Sequence, residues 1–153
     1  MLLNRSNMNN YIIRDYTNKD FEGLNKLWQE TNLGGAQRGD NTKIIEQSLT
    51  LGGKLILILH SETNEVIGSS WMTFDGRRLH LHHIGVKPEF QNKGLGKKLT
   101  QDSLKFAKEK GYQIKLEVHQ ENIKAIKLYK KLGFTFLGDY DVYIVRDVNS
   151  IKF

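Results

Sequence analysis

Apolar residues recur along the chain in two periods, and the switches between them mark out the elements. Tyr11–Asp15 reads as a first strand. Thr17-Asn18-Lys19-Asp20 then offers capping side chains, and Phe21, Leu24, Leu27 and Trp28 follow at helical spacing, a helix expected to end near Leu33-Gly34-Gly35. A polar segment, Gly35–Asn41, leads into Thr42–Leu51, where Ile44, Ile45, Ser48 and Leu49 predict a second helix stopped by Gly52-Gly53. Three strands are expected next, Lys54–His60, Val66–Phe74 and Leu79–Val86, the last two joined by Asp75-Gly76, a strong hairpin signal.

Helical spacing then returns. Gly94–Lys110 sets Leu95, Leu99, Ser103, Phe106 and Ala107 on one face and stops at Gly111. Tyr112–His119 alternates Ile114, Leu116 and Val118 with Lys115, Glu117 and His119, which predicts a strand. In Asn122–Leu132 the residues Ala125, Ile126, Tyr129 and Leu132 share a helix face capped by Gly133, and Phe134–Leu137 and Val142–Val145 predict two closing strands. The order β-α-α-β-β-β-α-β-α-β-β is that of an α/β fold, a mixed sheet flanked by helices. No repeat or linker divides it, so residues 1–153 are expected to form a single domain.

Composition narrows the chemistry. The chain has no Cys, which removes disulfides, thiolate zinc sites and cysteine nucleophiles together. Its longest apolar run, Leu55–Leu59, is far short of a membrane span, and Met1–Asn10 is too polar for a signal peptide, so a cytoplasmic protein without membrane contact is expected. The net charge of +6 lies wholly in residues 81–153, where fourteen basic side chains face eight acidic ones; residues 1–80 balance nine against nine. This asymmetry points to an anionic partner of the second half, a phosphorylated cofactor or a nucleic acid, although most of these lysines can equally solvate two helix faces. With no helix-turn-helix, zinc site or aromatic-rich surface strand, nucleic acid is not the expected partner.

The richest stretch runs from Val86 through Gln91-Asn92-Lys93-Gly94-Leu95-Gly96-Lys97-Lys98, a strand passing through a Gly-containing loop into a helix start. Free N–H groups and the helix dipole favour phosphate there, and glycines let it approach. A dinucleotide fingerprint would need Gly at position 99, and a Walker loop Gly at position 91 with Ser or Thr at position 98; Leu99, Gln91 and Lys98 fail both. The stretch resembles the Q/R-x-x-G-x-G/A loop of the GNAT superfamily of N-acetyltransferases, here Gln91, Gly94 and Gly96 after the strand His83-Ile84-Gly85-Val86. A second match lies downstream in Leu116-Glu117-Val118-His119, Asn122, Ala125, Leu128-Tyr129 and Leu132-Gly133-Phe134. The resemblance covers residues 81–138 and is nearest to the ribosomal-protein N-terminal acetyltransferases.

That resemblance implies a GNAT-like, mostly antiparallel sheet, with an acetyl-coenzyme A core at about residues 79–138 and an acceptor side at about residues 11–53. Acetyl-coenzyme A, with no metal, would rest its pyrophosphate on the backbone of Gln91, Asn92, Lys93, Gly94, Leu95, Gly96 and Lys97, and its arm along Ile84, Gly85 and Val86. Asn122 would contact that arm, whatever its role as a helix N-cap. Tyr129 would protonate the leaving thiolate, and Glu117, twelve residues earlier, would take the proton of the amine through water, tuned by partial burial. His82 and His83 compete as bases; alternation would put them on opposite faces of the sheet, and His119 stands behind them. Arg38 and Asp40, in a segment that matches no pattern, are expected to bind substrate or each other. The expected acceptor is a primary amine on a protein N-terminus, a lysine or a small molecule, and a homodimer is compatible with this picture. The rival readings are a catalytically silent coenzyme A-binding module and, behind it, a basic nucleic-acid-binding domain.

Overall fold

Leucine and isoleucine alternate through Lys54–His60, so a strand there is apolar on both faces and has to be covered on both. The computed structural model, which describes residues 9–153, covers it from both sides. Five strands lie side by side in chain order: β1 (Tyr11–Asp15), β2 (Lys54–His60), β3 (Val66–Phe74), β4 (Arg78–Val86) and β5 (Gln113–Leu116). All neighbours are antiparallel except β4 and β5. The helices are α1 (Phe21–Glu30), α2 (Thr42–Thr50), α3 (Leu95–Lys110) and α4 (Ile123–Lys131). Leu55, Leu57 and Leu59 pack with Leu24, Leu27 and Trp28 of α1 and Ile45 of α2, whereas Ile56 and Ile58 pack with Leu95, Leu99 and Ala107 of α3. Each side chain of this size, fully buried, stabilises the fold by about 1.5–3 kcal/mol. The α/β class is as the sequence pattern predicts, and the mostly antiparallel sheet is as the resemblance implies.

Two features differ from the expected pattern. β5 is Gln113–Leu116 rather than Tyr112–His119, because its ladder with β4 runs only from Arg78 opposite Gln113 to Leu81 opposite Leu116. β4 continues to Val86, so from His82 onward it is paired with β3 alone. The second difference is at the end of the chain, where Phe134–Leu137 and Val142–Val145 do not form strands. Among the described residues no backbone hydrogen bond involves Thr135–Arg146, and Tyr143 is 89% exposed. Strand propensity expresses how well a residue fits a pleated, half-buried surface, and here no neighbouring strand supplies one.

Candidate active site

The expected phosphate loop joins β4 to α3. After Val86 the chain makes one tight turn, Pro88–Phe90, and the Gln91 amide donates to the Val86 carbonyl at 2.9 Å, fastening the loop to the strand end. Asn92 and Gly94 take left-handed backbone angles, φ +62° and +80°, which swing the chain into α3. No side chain caps that helix, so the N–H groups of Leu95, Gly96 and Lys97 lack intrahelical acceptors and point outward with the positive end of the dipole. A Cβ added at Gly96 would meet no protein atom within 4 Å, so the surface beside these donors is open. The residues present therefore fit a pyrophosphate. Lys98 is less free than the sequence implies: its ammonium pairs with Asp102 at 2.7 Å. Lys93 lies 5.8 Å from the Phe90 ring centre, and Lys124 of α4 hydrogen-bonds Asn92, tying α4 to the loop.

On the α4 side, the Asn122 carboxamide accepts the Ala125 N–H at 3.2 Å and so caps α4. Tyr129 is buried on the inner face of that helix, its ring 5.6 Å from that of Phe134. Burial pushes its phenol pKa up, which keeps the proton on oxygen, the state an acid requires. Glu117 departs from expectation. Its side chain is 55% exposed rather than partly buried, and it lies 3.7 Å from the His80 imidazole, whose pKa burial pushes down.

The histidines hold the largest correction. Ser69 pairs with Gly85 and Trp71 with His82, so two β4 residues, His83 and Ile84, stand opposite Ser70 alone. This bulge puts His83 at φ +44° and breaks the alternation, so the rings of His82 and His83 both lie against Trp71, 6.2 and 5.2 Å away, instead of on opposite faces. The His82 ring lies tilted against that of His80, centres 3.8 Å apart, and meets the Thr73 hydroxyl at 2.8 Å. Burial first, then the neighbouring His80 and His83, push its pKa down to about 4 and leave it neutral at pH 7.

His83 sits between Trp28 and Trp71, and its Nε2 is 2.8 Å from Asp40 Oδ2. Asp40 also accepts the Gly35 N–H at 3.1 Å, and a side-chain carbon at Gly34 would collide with both the His83 ring and the Asp40 carboxylate. The indole of Trp28 donates to the Ser69 hydroxyl, which donates to the His83 carbonyl. Arg38 does not pair with Asp40; it donates to Asn32. The sequence assigns no pattern to Gly34–Asp40 and points only to Arg38 and Asp40 as groups that bind substrate or each other. Gly34 and Gly35 are the local trace of the close approach, but nothing in the segment names the strand residue 43 positions away.

The loop, the end of β4 beyond its pairing with β5 and the buried Tyr129 lie on the elements that the GNAT resemblance singles out. Among the described residues no group of three His, Cys, Asp or Glu could hold a metal ion, and no helix is long and apolar enough to cross a membrane. Compared with known proteins, residues 21–134 match the acetyltransferase (GNAT) family model. An acetyltransferase of Pectobacterium atrosepticum is 31% identical over 124 residues, 80% of this chain and 86% of that protein. Mycothiol acetyltransferase of Streptosporangium roseum is 39% identical over 80 residues, 47% of this chain, which spans only 24% of that longer protein. Among solved structures, an Elizabethkingia anophelis GNAT family acetyltransferase with acetyl-CoA bound superposes with a TM-score of 0.57 at 26% identity, covering 82% of this chain and 76% of that one. The Escherichia coli ribosomal-protein-S18-alanine N-acetyltransferase superposes with a TM-score of 0.67 at 20% identity, covering 82% and 77%, a likeness of fold. With most of its length matched by the family model and by a relative of similar size, this chain belongs to the acetyltransferase (GNAT) family.

Proposed function

We propose that the chain transfers the acetyl group of acetyl-coenzyme A to a primary amine, on a protein N-terminus, a lysine or a small molecule. The observation that carries the reading is the uncapped N-terminus of α3 beside a length of β4 that pairs with β3 but has no neighbour on its β5 side, which offers phosphate donors and a free strand edge side by side. Gln91, Asn92, Lys93, Gly94, Leu95, Gly96 and Lys97 would carry the pyrophosphate, and Ile84, Gly85, Val86 and Asn122 the arm. The amine nitrogen bonds to the thioester carbon, the oxyanion is met by backbone N–H of β4, and the C–S bond then breaks. The amine proton passes to the base, and Tyr129 donates its own proton to the departing thiolate.

Glu117 is the proposed base, exposed enough to work through water. His83 is a second reading, favoured by one observation: its Nε2 lies 2.8 Å from Asp40, an arrangement that would hold the ring in one orientation. A screen of amine acceptors with thiol release tests the activity. Tight coenzyme A binding without turnover on any acceptor would support a silent binding module instead. Once an acceptor is known, Glu117→Gln should lower turnover by roughly 10²–10⁴-fold and flatten the acidic limb of the pH profile. If Asp40→Asn moves that limb while Glu117→Gln leaves it alone, the base is His83.

A further inference from the structure

We propose that Lys87 is a positioning residue, whose buried ammonium fixes the segment after α1, residues 31–40, against the edge of β4 that would carry the cofactor. Among the described residues it is the one charged residue that is buried, 4% exposed. Its ammonium lies 3.0 Å from Glu30, the last residue of α1, and 2.5 Å from Glu65, just ahead of β3. Taking an ammonium out of water is costly, and an apolar side chain of similar length would fill the place at less cost. The charge is therefore explained by where it holds its partners.

Three alternate residues at the end of β4 face α1 and the segment that follows it. The His83 ring meets Asp40, a Cβ at Gly85 would meet Leu33 at 2.6 Å, and Lys87 takes Glu30. Ile84 and Val86, between them, pack with the core under α3 instead. Lys87 also belongs to the cofactor side: its N–H donates to the Ile67 carbonyl at 2.8 Å, and the carbonyl of Val86 before it is the one that Gln91 fastens. One side chain thus ties the cofactor edge to the end of α1. Beyond Glu30 the chain turns at once, with Asn32 at φ +56° and the Leu33 N–H donating back to the Trp28 carbonyl, so the place of Glu30 sets that of Leu33 and of the residues leading to Asp40. The effect of Lys87 on turnover rests on the acetyl-transfer reading; its hold on residues 31–40 does not.

Lys87→Met keeps an unbranched side chain and removes the charge, and both carboxylates, half-exposed, can turn to water. Calorimetry should give this variant an unchanged coenzyme A affinity, while kcat/KM for the amine falls roughly 10–100-fold, as expected when a reactant is misplaced by about an ångström. Glu30→Ala should show the same defect; its other partner, Lys26 at 4.0 Å, is exposed and contributes little. Glu65→Ala, which leaves the ammonium on Glu30, should not. Hydrogen exchange of the cofactor-free proteins reads the segment without turnover: in Lys87→Met and Glu30→Ala the amides of residues 33–40 should exchange at least about tenfold faster, with those of β2 and α3 unchanged. If Lys87→Met does not fold, the two glutamate variants carry the same test. A wild type that acetylates no amine strikes the acetyl-transfer reading alone, and exchange then decides. The proposal is overturned by unchanged exchange at residues 33–40, by faster exchange throughout the sheet, by equal effects of Glu30→Ala and Glu65→Ala, or, in an active enzyme, by an unchanged kcat/KM or a coenzyme A affinity that falls with it.

Discussion

His82 couples the stability of the protein to pH. Its folded-state pKa of about 4 lies below the ordinary 6.5, so between these values the unfolded chain takes up a proton that the folded chain refuses. Stability should therefore be undiminished by this group above pH 6.5, decline as pH falls toward 4, and change no further below that. The loss is on the order of 2 kcal/mol after allowing for solvent around a partly buried ring. His82→Gln keeps a polar partner for Thr73 but cannot be protonated, so urea midpoints measured from pH 7 to pH 4 should fall less steeply for the variant. Tyr129→Phe removes one oxygen and leaves the ring packed against Phe134. It should lower turnover with little change in coenzyme A affinity, a split that calorimetry and initial rates resolve. A parallel loss of affinity would make the tyrosine a packing residue.

Helix starts decide the cofactor side. Because a Cβ at Gly96 meets no protein atom, Gly96→Val should fold normally and still lose coenzyme A affinity, the added methyls standing where phosphate oxygens approach the α3 donors. Unchanged affinity by calorimetry would move the phosphate elsewhere. Asn122→Ala removes the cap of α4 and should cost about 1 kcal/mol of stability by thermal denaturation of the cofactor-free protein. These elements were legible in the sequence because their signals are local: helical spacing from Leu95 to Ala107, a glycine at each end of α3, an asparagine at the start of α4. The bulge at His83 was not, since it is a mismatch in length between two strands that neither strand records. The Asp40–His83 contact was hidden for the same reason. The closing strands show the converse error, for Val142–Val145 has the right side chains for a strand and is paired with none among the described residues.

Across the whole molecule, ligand binding and folding are one equilibrium. Coenzyme A at a hundred times its dissociation constant should raise stability by about 2.7 kcal/mol, which for a chain of this size is roughly 5–10 °C in melting temperature. Gly96→Val at the same concentration should show little of that shift, and an equal shift in both proteins would mean binding elsewhere. The sheet also brings together the chain's only two tryptophans, Trp28 from α1 and Trp71 from β3, nearly parallel with ring centres 5.5 Å apart and both edged by His83. Two indoles at that separation share their electronic transitions, so the near-ultraviolet dichroism of the protein should carry a paired band belonging to this one place. Their emission should be dimmed further whenever the adjoining imidazole carries a charge. The protein thus holds a built-in optical reporter on the proposed acceptor side, and an amine that engages Asp40 should announce itself as a change in fluorescence before any acetyl group has moved.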